Sequence, residues 1–379
     1  MKVYQIFVDR FSTGNPAVDK KLAYKTSKNR LGGNLRGIIN KLDYIKSLGF
    51  DAIWLTPIFS AMDYHGYSTL DFYSVDKHFG SNETLKELVN KAHAIGLKVI
   101  LDFVANHVSN KHKFFISALN DKSSVYRNWF VFGRNNSYMS FLDVKELPKL
   151  NTKNRDVVNY LIDAALYWIR DFGIDGYRLD HAIGPTLEFW KEFTAACLKL
   201  NKNFVFLPEI WLSGIDPAYS DTLWFMQDEE TRLKFIPIFK KNKGLSWDKI
   251  PSADGEELAD LMFKGIFDTP LDFSANKAIR SGRYTNNRNN NGFVFADNHD
   301  MQRISWILNG DKSAIDSAVK SVGQANNSIV YYGTEIYLSQ LSDFAKFKSF
   351  SDKECRRFMD WSKATRENVD RFRKLFLQV

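Results

Sequence analysis

Apolar positions along the chain fall into two alternating rhythms. Short unbroken runs read as buried strands, and longer stretches with apolar residues three and four apart read as one face of a helix. Lys2 to Val8 is the first run, after which Leu35, Ile38, Ile39, Leu42, Ile45 and Leu48 trace a helical face. Asp51 to Leu55 predicts the next strand. Ser81 and Asn82 are capping candidates for a helix carried by Leu85, Leu88, Val89, Ala92 and Ile95, and KVILDFV from Lys98 predicts a third strand.

From Ser109 to about Asn151 the rhythm breaks into a polar, aromatic-containing stretch, then resumes with Val157, Val158, Leu161, Ile162, Leu166 and Ile169 on a helix. A structureless loop of that size is unusual inside a compact domain, so residues 109–151 read as a small inserted subdomain after strand three. Further strands fit Asp175 to Leu179, Asn203 to Leu207, Met262 to Phe267, Gly292 to Ala296 and Ser328 to Tyr332. Eight strands with intervening helices predict an α/β fold, a (β/α)₈ TIM barrel formed by residues 1–108 and 152–379, with its active site at the carboxyl ends of the strands. A doubly wound open sheet is the alternative, but no GxGxxG or GxxxxGK[ST] loop follows any of these strands.

Composition narrows the class. With 379 residues, 44% hydrophobic and 15% aromatic, the chain can bury a large core, which excludes a disordered or collagen-like protein. The net charge of +8 comes from Lys and Arg scattered among acids with no long basic run, so it reads as a solvated surface and not a nucleic-acid footprint. Cys197 and Cys355, the only two cysteines, are far apart and read as free thiols, with neither a disulfide framework nor zinc-ligand spacing. MKVYQIFVDRF at the amino terminus has Gln and charges where a signal peptide needs an apolar stretch, and no segment is apolar enough to span a bilayer. The expectation is a cytoplasmic protein with no membrane partner.

Three acids stand out against this background. Asp180, Glu209 and Asp300 each close a strand-like run, in IDGYRLD, NFVFLPE and GFVFADNHD. An acid where an apolar strand runs out is costly to bury unless its charge is used. Any one alone is more often a helix cap or half of a structural ion pair; three at the strand ends of one barrel point to a shared site.

Asp102-Phe-Val-Ala-Asn106-His107, Gly176-Tyr-Arg178-Leu-Asp180, Glu209-Ile-Trp211 and Phe295-Ala-Asp-Asn298-His299-Asp300 resemble, in order, the four signature regions of the alpha-amylase family, glycoside hydrolase family 13. Tyr4 to Phe11, His65-Gly-Tyr67, Leu147-Pro-Lys-Leu-Asn151 and Tyr331-Tyr-Gly-Thr-Glu335 resemble its secondary motifs, so the resemblance covers nearly the whole chain. It implies Asp180 as nucleophile, kept ionised by Arg178; Glu209 as acid/base; and Asp300 as a third carboxylate that grips sugar hydroxyls. By the same resemblance His107 and His299 hydrogen-bond the sugar, Tyr67 offers it a ring, His65 adds a contact and Asp102 braces Arg178. No cofactor is required for the chemistry. In many relatives the residue matching Asn106 helps hold a structural calcium; with the other oxygen ligands unidentified, the metal stays unassigned.

Leu147-Pro-Lys-Leu-Asn151 most resembles the neopullulanase and cyclomaltodextrinase version of its motif. The implied function is a retaining α-glucan hydrolase acting on α-1,4 and, as in some relatives, α-1,6 bonds of maltodextrin oligosaccharides. A 4-α-glucanotransferase using the same triad is the alternative, followed by a non-catalytic sugar-binding homologue and a phosphorylase or isomerase acting on sucrose or trehalose. The chain departs from the family pattern in several places. After Arg356-Arg-Phe-Met-Asp-Trp361 one helix to Val379 is expected in place of a carboxyl-terminal β-sandwich, and the first barrel strand is expected to begin at once, without the amino-terminal domain of neopullulanase-like relatives. His181-Ala-Ile-Gly184 replaces the Lys-His pair of many amylases, and Asn326-Asn-Ser328 stands where a Pro-Gly-Ile-Pro turn is common. Asp228 to Asp260 is longer than expected, Trp211 reads as packing and Asn286 to Asn291 as a solvated connection. No oligomeric state follows from the sequence.

Overall fold

The strands follow in the chain as β1 (Lys2–Ile6), β2 (Ala52–Leu55), β3 (Phe59–Ala61), β4 (Thr69–Val75), β5 (Lys98–Phe103), β6 (Gly176–Leu179), β7 (Val205–Pro208), β8 (Leu271–Asp272), β9 (Phe293–Val294) and β10 (Ser328–Tyr331) in a computed structural model. It describes residues 1–210, 265–267, 269, 271–272, 275–284, 292–343 and 352–378. Trp211, the stretch from Asp228 to Asp260 and Asn286 to Asn291 lie outside the described residues.

Eight of the strands form one sheet in the order β7-β6-β5-β2-β1-β10-β9-β8. Each successive strand of a (β/α)₈ barrel lies beside the one before it and the last returns to the first, and here the last strand, β10, pairs with β1. The paired registers are parallel: Tyr4 lies opposite Ile53 on β2 and Val330 on β10, Ile53 opposite Val99 on β5, and Arg178 opposite Leu207 on β7. Strands β2 and β6 are buried at every position, as expected of strands covered on both faces. Chain contacts divide the molecule into one unit of Met1–Ile58, Val75–Leu101 and Ala275–Val379 and another of Phe59–Ser74 and Asp102–Ser274.

Helices form where capping and apolar spacing agree. Ser81 Oγ accepts from Thr84 N at the start of Asn82–Ala94, which buries Leu85, Leu88, Val89 and Ala92 along one stripe. Asn154 caps Arg155–Tyr167 through Asp156 N and Val157 N, and that helix runs on through a π-helical turn, Trp168–Phe172, to Gly173 in the left-handed conformation (φ 75°). Trp168 stacks on Phe59 with centroids 5.1 Å apart and donates from its indole to Phe72 O at 2.7 Å, which locks β3 and β4 to this helix end.

Two expectations change. The face from Leu35 to Leu48 is carried by two short helices, Leu35–Ile39 and Leu42–Ser47. Gly37 sits so close to Ser12 that a Cβ would lie 1.9 Å from its carbonyl oxygen, so the helix start is set by packing while the apolar spacing runs on across the break. The described part of the expected sixth strand, Gly265 to Phe267, is turn and coil, and the sheet strand lies at Leu271–Asp272. The ribbon β3–β4 was not anticipated, because β3 spans only 3 residues and β4 buries every third position instead of every second. Between Ser109 and Asn151 the chain forms a helix, Lys113–Asn120, three 3₁₀ turns and isolated antiparallel bridges, among them Phe132 with Tyr138 and Ser140 with Pro148. Among the described residues no helix is long and apolar enough to cross a membrane.

Candidate active site

The second unit holds Asp102 at the end of β5, Arg178 on β6, Asp180 just after β6 and Glu209 just after β7. The strand period of two puts Arg178 and Asp180 on one face, and Arg178 Nη1 donates to Asp180 Oδ1 at 2.8 Å. The same nitrogen donates to Asp102 Oδ1 at 2.8 Å, and Nη2 lies 2.7 Å from Glu209 Oε1. One guanidinium therefore faces three carboxylates, all buried or nearly so. Burial pushes the Asp102 carboxyl up to about 7 against the pull of Arg178, with the charge of Asp180 pushing the same way. Arg178 is itself held well above its ordinary value by the surrounding carboxylates, which outweigh its burial.

The backbone after Asp180 adds a second tie. His181 takes a left-handed conformation (φ 42°), unusual for a residue with a side chain, and its N–H donates to Glu209 Oε2 at 2.9 Å. Trp190 then donates its indole N–H to Ala182 O at 2.8 Å, anchoring this loop to the helix Leu187–Leu200. Glu209 is thus gripped through both oxygens, one by a side chain and one by a peptide.

Tyr67 and His65 come from the turn between β3 and β4. Tyr67 Oη lies 3.1 Å from Asp102 Oδ2 and 3.3 Å from Arg178 Nη1, so its ring is fixed by the ion cluster. His65 Nδ1 lies 2.8 Å from Asp63 Oδ1. Burial would raise the Asp63 carboxyl, but the bonds to His65 and Ser68 hold it at about 2. Asp63 also accepts from the backbone of His65 and Gly66, a turn signature readable in Asp-Tyr-His-Gly that the sequence reading did not use.

His107 follows β5 and is buried, as are its neighbours Asn106 and Lys149. Burial, and then the charge of Lys149, lower the His107 pKa to about 3, so the ring is neutral. Lys149 Nζ donates to Asn106 Oδ1 and, at 3.0 Å, to Gly184 O. A calcium ion takes roughly six to eight oxygens, usually with carboxylates among them. Here the Asn106 oxygen is given to an ammonium, and among the described residues no group of three or more His, Cys, Asp or Glu side chains could hold a metal. The residues at Asn106 do not fit a calcium ion.

His299 and Asp300 belong to the first unit and form a separate group. Gln5 Nε2 lies 2.7 Å from His299 Nδ1, Trp54 meets the imidazole edge to face at 5.8 Å, and His299 Nε2 lies 3.1 Å from Asp300 Oδ2. Arg356 donates from Nη2 to Asp300 Oδ1 at 2.7 Å and from Nε to His299 O at 2.8 Å. Arg356 was missed in the sequence because nothing local marks it; it lies 56 residues beyond its partner.

The model of the alpha-amylase catalytic domain matches residues 5–376. The chain belongs to the alpha-amylase family. An alpha-amylase 2 of Dictyoglomus thermophilum is 35% identical over 377 residues, covering 98% of this chain and 62% of that protein. An intracellular maltogenic amylase of Bacillus subtilis is 33% identical over 379 residues, covering 97% of this chain and 59% of that protein. Among solved structures a cyclomaltodextrinase superposes with a TM-score of 0.74 at 26% identity, covering 99% of this chain and 62% of that one. The chain thus spans about three fifths of the length of these relatives. The ordered strand-end motifs of the alpha-amylase family coincide here with the ends of β5, β6, β7 and β9.

Proposed function

We propose that the chain is a retaining α-glucan hydrolase that cleaves α-1,4 glucosidic bonds, and in branched substrates α-1,6 bonds, in maltodextrins. The observation that carries this reading is the joining of Asp180 and Glu209 by the two terminal nitrogens of Arg178. A retaining mechanism needs two carboxyl groups roughly 5 Å apart, one to attack and one to protonate. One guanidinium bonded to both keeps them neighbours.

In the first step Asp180 Oδ attacks the anomeric carbon while the glycosidic C–O bond breaks and Glu209 gives its proton to the leaving oxygen, leaving a covalent glycosyl ester. In the second step Glu209 takes a proton from water, the water oxygen bonds to the anomeric carbon and the ester C–O bond breaks. Arg178 keeps Asp180 ionised for the attack. Asp300, held by His299 and Arg356, serves as the carboxylate that grips sugar hydroxyls as positive charge develops. His107 donates to the sugar, His299, its ring nitrogens meeting Gln5 and Asp300, contacts it through Asp300, and Tyr67, its hydroxyl already engaged, presents a fixed ring with His65 beside it. No cofactor enters either step.

Relatives named alpha-amylase and intracellular maltogenic amylase support an α-glucan oligosaccharide as substrate and the cytoplasm as setting. Residues 109–151 are proposed as an inserted subdomain in a barrel of 1–108 and 152–379, a division supported by the local antiparallel bridges within that stretch. The test is incubation with maltoheptaose, resolving products by length over time with Asp180→Asn as blank. Only shorter sugars are expected. Sugars longer than maltoheptaose would move the assignment to a 4-α-glucanotransferase, in which a sugar hydroxyl replaces water in the second step.

A further inference from the structure

We infer that Lys149 is a cation built into the chain, standing at Asn106 where relatives place a calcium ion, and that through Asn106 it decides which nitrogen of His107 carries the proton. Three segments meet at its ammonium. Lys149 pairs across an antiparallel bridge with His107, and Leu150 N donates to Asn106 O at 2.9 Å, so the backbone carries the side chain to the loop after β5. From the other side, the loop that follows Asp180 brings Gly184 O to 3.0 Å from Nζ. Only glycine permits that approach: a Cβ at Gly184 would lie 2.1 Å from Asn106 Oδ1. The ammonium is fully buried, and both of these acceptors are neutral oxygens of the kind a hard cation takes.

The consequence for His107 follows from donor and acceptor chemistry alone. An ammonium can only donate, so Asn106 must turn its amide oxygen to Lys149. Its NH₂ group then faces His107 Nδ1, 3.2 Å away, and Nδ1 accepts. A neutral imidazole has one donor and one acceptor, which leaves the proton on Nε2. His107 Nε2 is buried and makes no close hydrogen bond among the described residues, with the Tyr67 backbone also acting on the ring, so a ligand oxygen that reaches it can take its N–H. Its use on a sugar hydroxyl rests on the glycosidase reading above. A dissociable metal could hold Asn106 as well, but a lysine cannot be stripped from the site.

Two measurements without substrate test this, so their failure is distinguishable from failure of the glycosidase reading. The wild-type protein is melted in excess EDTA and in millimolar calcium, alongside Lys149→Met. The wild-type midpoint is expected to agree within about 1 °C between the two buffers, and Lys149→Met to melt roughly 5 °C lower with no recovery in calcium. A wild-type midpoint that falls in EDTA and returns with calcium overturns the inference, and so does a Lys149→Met protein as stable as wild type. If Lys149→Met does not fold, the wild-type comparison still decides. The second measurement is imidazole ¹⁵N NMR of the seven histidines, with His107→Gln to identify the His107 signals. The Nε2–H tautomer is expected at neutral pH, and a dominant Nδ1–H tautomer would overturn the role assigned to Lys149, since a passive packing lysine sets no tautomer.

Discussion

The acids at the ends of β6 and β7 and the acid after β9 are held by arginine in opposite ways. Asp180 and Glu209 share Arg178, which sits two residues before one of them, and all three are buried. Asp300 has its own Arg356, brought from 56 residues downstream, and its side chain is 38% exposed. Burial makes the first arrangement obligatory: removing the cation would leave buried carboxylates uncompensated. Solvent makes the second more adjustable, because water reaches the Asp300 carboxylate, although Arg356 itself is buried. One region holds two buried carboxylates on one cation, and the other orients a carboxylate that remains accessible.

The most damaging way to probe this difference is Asp180→Asn, which keeps shape and removes the charge proposed to attack. Turnover of maltoheptaose is expected to fall on the order of 10⁴-fold or more, with the far-ultraviolet circular dichroism unchanged. Next comes Arg178→Met. It leaves Asp102, Asp180 and Glu209 facing one another, and urea unfolding is expected to show a loss of about 3–5 kcal/mol together with lost turnover. Arg356→Met should break the comparison if the two arginines are equivalent. Because Arg356 is itself buried and also holds His299 O, the expected result is a stability loss of about 1–3 kcal/mol, smaller than for Arg178→Met, and a fall in kcat/KM of up to about 10²-fold, read by the same unfolding and maltoheptaose assays. Equal destabilisation by the two arginine variants would show that exposure does not separate the sites.

The smallest effect is on pH dependence, and it belongs to the second unit. His107 and His112 are lowered to about 3 and about 4, and His181 well below its ordinary value, each by burial first and neighbouring positive charge next. Unfolded, each would bind a proton near pH 6.5. Their contribution to stability is therefore fully present above about pH 6.5 and lost as pH falls from there towards the folded values. Asp102 has the opposite sign: its folded pKa of about 7 lies above the unfolded one, so its contribution is present at acid pH and lost as pH rises through 7. Urea midpoints are expected to fall from pH 6.5 to pH 5. His112→Asn, which can still cap Lys113–Asn120, should remove about half of that slope, since Asp102 offsets one of the three histidine contributions, without changing turnover.

The sequence determined by itself what is local. Strand period two placed Arg178 beside Asp180, apolar spacing and Ser81 set the helix Asn82–Ala94, and an acid after each buried run marked Asp180, Glu209 and Asp300 as candidates. Tertiary structure decided which distant groups answer those charges: Arg356 on Asp300, Lys149 on Asn106, and the peptide N–H of His181 on Glu209. It also decided the break after Ile39 and the place of β8, where close packing and sheet pairing override an apolar pattern that reads smoothly in one dimension. The physical reason is one of range. Periodicity records which face of an element is buried, whereas the partner of a buried charge is chosen by whichever segment folds against it, and that choice leaves no periodic trace in the chain.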